Sequence, residues 1–169
     1  SIYRYFENKH KLLVYLIAWY WNWLEYRIDF ETHNVESPMD RLAIALRLVT
    51  EQKSYDNSFP SVDESALQRI ITSESDKTYL TKQVDSDNKD GLFRGFKTLC
   101  ARLANIILEI NPDYPYAHSL VSTVLQSAHQ QIFFAEHLPS LTNHQASTGK
   151  VHEQNNVFLL ELIQKAIKV

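Results

Sequence analysis

A chain of 169 residues with only 3 glycines and 5 prolines has too few turn formers for a β-rich fold with many tight hairpins. Its 44% of hydrophobic residues, among them 3 Trp, 9 Tyr and 8 Phe, supply one sizeable core, which excludes disorder and favours a single domain. A net charge of -3 excludes nucleic-acid binding by bulk electrostatics and leaves only local contacts. The single Cys100 has no internal disulfide partner and no signal-peptide pattern opens the chain, so a reducing cytoplasm is the expected location.

Ser1 to Phe6 reads as the end of a helix already under way. Asn8 is placed to accept orphan amide protons of the next helix, which runs to about Phe30. Its apolar stretch from Leu12 to Leu24 is shorter than the roughly 20 residues a bilayer span needs. Ser37 and Pro38 open a second helix to about Gln52, with Leu42, Ala45, Leu46 and Val49 at helical spacing. Ser54 to Ser61 is loop chemistry.

Asp63 or Ser61 caps a third helix to about Val84, carrying Leu67, Ile70, Ile71, Tyr79 and Leu80. Asp85 to Gly91 reads as a polar, solvated break. Leu92 to Ile110 follows as an amphipathic helix with the stripe Phe93, Phe96, Cys100, Leu103, Ile107 and Ile110. Asn111-Pro112 stops it, Asp113 caps a helix to about Leu138, and Val151 to Val169 forms the last. No alternating pattern survives, so the fold is expected to be an all-α bundle of six or seven helices.

Functional chemistry concentrates at the N-terminus, where Ser-Ile-Tyr-Arg-Tyr-Phe-Glu-Asn-Lys-His-Lys-Leu-Leu sets aromatic residues at fixed offsets beside a lysine at a capped helix start. Hydroxyls and an amine there suit a phosphate backbone. Taken alone, Tyr3, Tyr5 and Phe6 also read as a core-facing cluster with Lys9 a solvated charge. The run resembles the end of the helix-turn-helix signature of TetR-family transcriptional regulators. That signature is a small residue, an aliphatic, Tyr, any residue, His or Tyr, Phe, two variable positions, Lys, two variable positions and Leu, commonly followed by another Leu. Ser1 through Leu13 fill every place.

The resemblance implies that Ser1, Tyr3, Tyr5 and Lys9 touch DNA phosphates while Phe6 packs the small domain. It also implies that residues 1–7 are the remnant of a DNA-binding domain whose base-reading part is missing here. Residues 8–169 then form the C-terminal effector-binding and dimerisation domain. A homodimer, operator DNA and a small effector are the implied partners, with neither a cofactor nor a membrane.

Two features of the residues support such roles. Tyr15, Trp19, Tyr20, Trp21, Trp23 and Tyr26 make the first long helix apolar on nearly every face, so one face can line a cavity. Trp19, Trp23, Phe96, Cys100 and Phe133 are the candidate effector-pocket residues; residue by residue, core packing is the simpler reading of each. The last helix has two adjacent stripes, Phe158, Leu162 and Ala166 beside Leu159, Ile163 and Ile167, too broad for one neighbour. With Leu120, Val124 and Ala128 of the preceding helix they are the candidate dimer interface. Two-fold symmetry would set paired reading heads on half-sites about 34 Å apart.

Other patterns carry less. Taken as a calcium loop with Gly91 sixth, the segment around Asp85 to Gly91 would put Lys97 in place of the bidentate carboxylate. The seven histidines form no His-x-x-x-His pair, so metal binding is not expected. Cys100 reads as a small core hydrophobe. No phosphate loop or nucleophile elbow is present, so no enzyme is expected. The expected function is a ligand-responsive transcriptional regulator, a repressor released from its operator by a partly apolar effector. The alternative is an all-helical dimeric interaction module that binds no small molecule.

Overall fold

A computed structural model of the chain describes residues 5–53 and 63–168. Among them are seven α-helices and no strand: α1 (Lys9–Thr32), α2 (Pro38–Thr50), α3 (Glu64–Glu74), α4 (Val84–Lys89), α5 (Arg94–Ile110), α6 (Ala117–His137) and α7 (Val151–Ala166). Short 3-10 turns cover Ser75–Thr78, Pro139–Leu141 and Ala146–Thr148.

The starts of the first three helices follow local chemistry. Asn8 Oδ1 accepts from Lys11 N at 2.9 Å, Ser37 Oγ from Asp40 N at 3.2 Å, and Asp63 Oδ1 from Ala66 N at 3.0 Å. Each satisfies one amide that the helix itself leaves unpaired. Of the two candidate caps for α3, Asp63 is the one used.

α1 crosses the molecule and buries Val14, Ile17, Tyr20, Trp21, Leu24 and Ile28 against α5, α2 and α3. α5 in turn packs on α2 and α6, and α7 lies across α2 and α6. Leu42, Leu46, Leu99, Leu103, Leu125 and Leu159 are shielded from solvent at the centre. The close approach of α5 to α1 depends on Gly95. A Cβ there would stand 2.8 Å from Asn22 Cγ and 3.0 Å from the Asn22 backbone nitrogen, so no side chain fits without separating the helices.

The third predicted helix does not continue to Val84. It ends at Glu74 because its last residues turn their hydroxyls and carboxylates onto nearby groups. Thr78 Oγ1 donates to Ser75 O at 2.6 Å and Tyr79 OH to Asp76 Oδ1 at 2.5 Å, giving the backbone an alternative to the helical ladder. The solvated break expected over Asp85 to Gly91 is mostly helix α4, and Asp87 within it is fully buried. Leu92 N donates to Asp87 O and Gly91 N to Asn88 O, with Gly91 at φ +79, the arrangement that closes a helix on a left-handed glycine. α6 begins at Ala117, later than an Asp113 cap requires, because the chain first makes a turn in which Tyr114 N donates to Asn111 O at 3.2 Å, and Tyr114 precedes Pro115, which disfavours helix there. The stripe on α5 is also rotated from the expected one. Leu99, Leu103, Ala104, Ile106 and Ile107 are buried, while Phe96 and Cys100 sit at its margin.

Candidate functional site

The N-terminal motif meets the body of the protein at the start of α1. Ser1 and Tyr3 lie outside the described residues. Tyr5 is 80% exposed and Lys9 is exposed, so both present their polar ends to solvent. Phe6 is half-buried and packs its ring on the exposed Tyr15, centroids 5.3 Å apart. Directly beneath, Asp87 accepts from His10 Nε2 at 2.9 Å and Lys11 Nζ at 2.6 Å, and these partners hold its carboxyl below the usual range against the opposing effect of burial.

About three helical turns further into α1, the interior is aromatic. Trp21 lies 4.6 Å from Phe96 and 5.5 Å from His129, and Tyr20 lies 6.0 Å from His129, all between ring centroids. Burial pushes His129 down to about 3, so its imidazole is neutral, and it raises Tyr20 far above the ordinary tyrosine value. The Tyr20 hydroxyl and His129 Nε2 are both buried without a hydrogen-bond partner. Orphaned polar atoms of this kind carry a desolvation cost that a polar guest would relieve. Ile17, Trp21, Phe93, Phe96, Leu125 and His129 wall a small cavity of about 20 Å³, room for one water-sized guest.

A larger cleft of about 390 Å³ opens between α3 and α6. Phe133 and Ile132 form an apolar wall, Gln68, Arg69 and Thr72 a polar one, and Lys53 and His152 lie between. Lys53 is the unexpected member. Its side chain is 1% exposed, its ammonium donates to Leu48 O and Glu51, and it stands 5.4 Å from the Trp23 ring. Burial lowers its pKa to about 8. Gln68 closes the corner, accepting from Lys53 N at 2.9 Å and donating to Glu51 O at 2.8 Å.

The five candidate pocket residues do not line one cavity. Trp19 and Trp23 stack on each other at 6.3 Å along α1, and Arg27 and Lys53 cover Trp23. Phe96 lines the small cavity and Phe133 the cleft. The Cys100 thiol points at His118 O, 3.8 Å away, and burial raises its pKa. No family model, curated protein or solved structure matches this chain. Its candidate site therefore stands on geometry alone.

The candidate interface also divides. Val124, Ala128, Leu159 and Ile163 are buried within the chain's own core by the packing of α6 on α7, so they have no surface to give a second subunit. Phe158 and Leu162 remain 41% and 36% exposed, Ala166 is exposed, and Leu120 is half-buried. The doubled stripe on α7 thus splits into an inner half that meets α2 and α6 and a partly exposed outer half, on which Phe158 packs against His144 at 5.8 Å between ring centroids.

Lys53, His129 and Asp87 were not singled out from the sequence. Lys53 follows the C-terminus of α2 in a polar stretch, His129 is one of seven scattered histidines, and Asp87 is one acid in a polar run. Only helix packing separates them from solvated neighbours of the same type.

Proposed function

We propose that this chain is the effector-binding and dimerisation part of a ligand-responsive, TetR-type transcriptional regulator, a repressor released from operator DNA by a small, at least partly apolar molecule. The observation that carries this reading is the start of α1. There Tyr5 and Lys9 of the signature are exposed, while Phe6 and the capped first turn tie them to a helix that runs through the aromatic core. Exposed donors at a helix start are suited to phosphate oxygens.

The cleft between α3 and α6 is the seat of the effector in this reading. Its volume lies within the range of small-molecule sites, and Phe133 with Ile132 favours a guest with an apolar face. Phe158, Leu162 and Ala166 on α7, with Leu120 on α6, supply the two-fold interface.

The test is DNA binding by protein extended N-terminally through a complete helix-turn-helix, measured against DNA upstream of its own gene. Binding should weaken steeply with salt, by a log-log slope of about -0.9 per phosphate contacted, and a ligand that raises the melting temperature should also change the affinity. Light scattering on the same protein should give a dimer that Leu162→Glu converts to monomer. Absence of salt-sensitive binding ends the regulator reading. A dimer with neither DNA nor ligand binding leaves an interaction module.

A further inference from the structure

α1 opens on three consecutive bases, Lys9, His10 and Lys11, and has no acidic residue in its first turn. Positive charge at the positive end of the helix dipole promotes fraying, and the Asn8 cap satisfies only one of the orphan amides. The missing anion is supplied from a distant part of the sequence. Asp87 of α4, 76 residues beyond Lys11, accepts hydrogen bonds from both His10 and Lys11. Asp90 adds a longer contact to Lys11 at 3.9 Å.

The carboxylate is fixed from its own side as well. Asp87 O accepts from Leu92 N, and Asp87 N donates to Gln83 O at 2.9 Å. Asp87 has no solvent-exposed surface, whereas the Lys11 and His10 side chains that reach it are 29% and 22% exposed. The acid is therefore a fixed, covered acceptor, and the two bases close over it from the surface.

We infer that Asp87 is a positioning residue, which clamps the first turn of α1 and thereby fixes the orientation of Tyr5, Phe6 and Lys9. The clamp itself stands on this geometry; its bearing on DNA rests on the regulator reading. It also assigns the three bases of the turn different roles. Lys11 and His10 are engaged inward, and Lys9 is the base left facing solvent.

Amide hydrogen exchange on the 169-residue chain tests the clamp directly. Asp87→Asn should accelerate exchange at Leu12, Leu13 and Val14 by about tenfold, a local opening, while amides at Ile28 and Leu103 keep their protection. Adding Lys9→Glu, which places an acid in the first turn, should restore part of that protection. Should Asp87→Asn fail to fold, Lys11→Met removes one partner from the exposed side and should show the same local change at smaller size.

Unchanged exchange in the first turn overturns the clamp. So does a uniform rise across the core, or a first turn that Lys9→Glu does not rescue. In the N-terminally extended protein, Asp87→Asn should weaken DNA binding several-fold. If first-turn exchange rises and rescue succeeds while wild-type protein binds no DNA, the clamp stands and the regulator reading falls.

Discussion

The two ends of α1 are held by opposite means. At its start, one solvent-shielded carboxylate, Asp87, takes both His10 and Lys11. Near its end, half-exposed charges form a closed square in which Arg27 and Arg47 each bridge Glu31 and Glu51 at 2.6 to 3.0 Å. The square has redundancy, because every carboxylate keeps a partner when one cation is lost. The clamp has none on the acid side, because His10 and Lys11 lose their one close acceptor together when Asp87 is removed. Charge pairs with similar distances therefore differ in what they control. The first fixes the position of one turn, and the second adds a little stability to a helix that Leu24 and Ile28 already anchor in the core.

The largest change should come from removing what both ends share. Leu24→Ala, at a fully buried site midway along α1, should cost about 2–5 kcal/mol in denaturant unfolding, and protection should fall at both ends together. If only one end responds, α1 is not the continuous beam described above. Asp87→Asn should cost less, about 1–2 kcal/mol in the free energy of opening the first turn, with the protection of core amides kept. Acid should reproduce it. Because the Asp87 pKa is held low in the fold, its contribution is present above the unfolded carboxylate value and disappears as pH falls through the lower folded one.

Lys53 adds a probe of the other end, since its ammonium joins the square through Glu51. Its folded pKa, about 8, lies below that of the free side chain, so between about pH 8 and 10.5 the unfolded chain binds the extra proton and stability should rise with pH. Lys53→Met should abolish that rise at a net cost within about 1 kcal/mol, because an apolar side chain of similar length replaces a desolvated charge. The smallest effect is expected for Glu31→Gln, below about 1 kcal/mol and fading in high salt. A Glu31→Gln loss as large as that of Asp87→Asn would erase the distinction between the two ends.

How much was legible in the sequence depended on whether the controlling interaction is local. Asn8, Ser37 and Asp63 cap amides three residues ahead, and Asn111 with Pro112 ends α5 where local rules place the stop. The break after Glu74 was missed because Tyr79 and Leu80 fall at helical spacing, while the bonds of Thr78 to Ser75 O and Tyr79 to Asp76 Oδ1 that accompany the break leave no mark in that spacing. Of the candidate pocket residues, Phe96 and Phe133 do line hollows, but different ones, because their helices meet α1 and α3 at separate places. The split of the α7 stripe was equally hidden, since two adjacent apolar stripes do not announce which one the chain itself will cover.

The sequence by itself determined an all-helical chain, most of its helix starts, and an aromatic first helix destined for the core. These follow from capping chemistry and 3.6-residue periodicity, which act over one or two turns. Tertiary structure alone decided that Asp87 would close on His10 and Lys11, that Lys53 would be buried beneath Trp23, and that His129 would lie neutral against Tyr20 and Trp21. In each case the deciding partner is far away along the chain. A polar side chain has the same local preferences whether water or another helix eventually covers it.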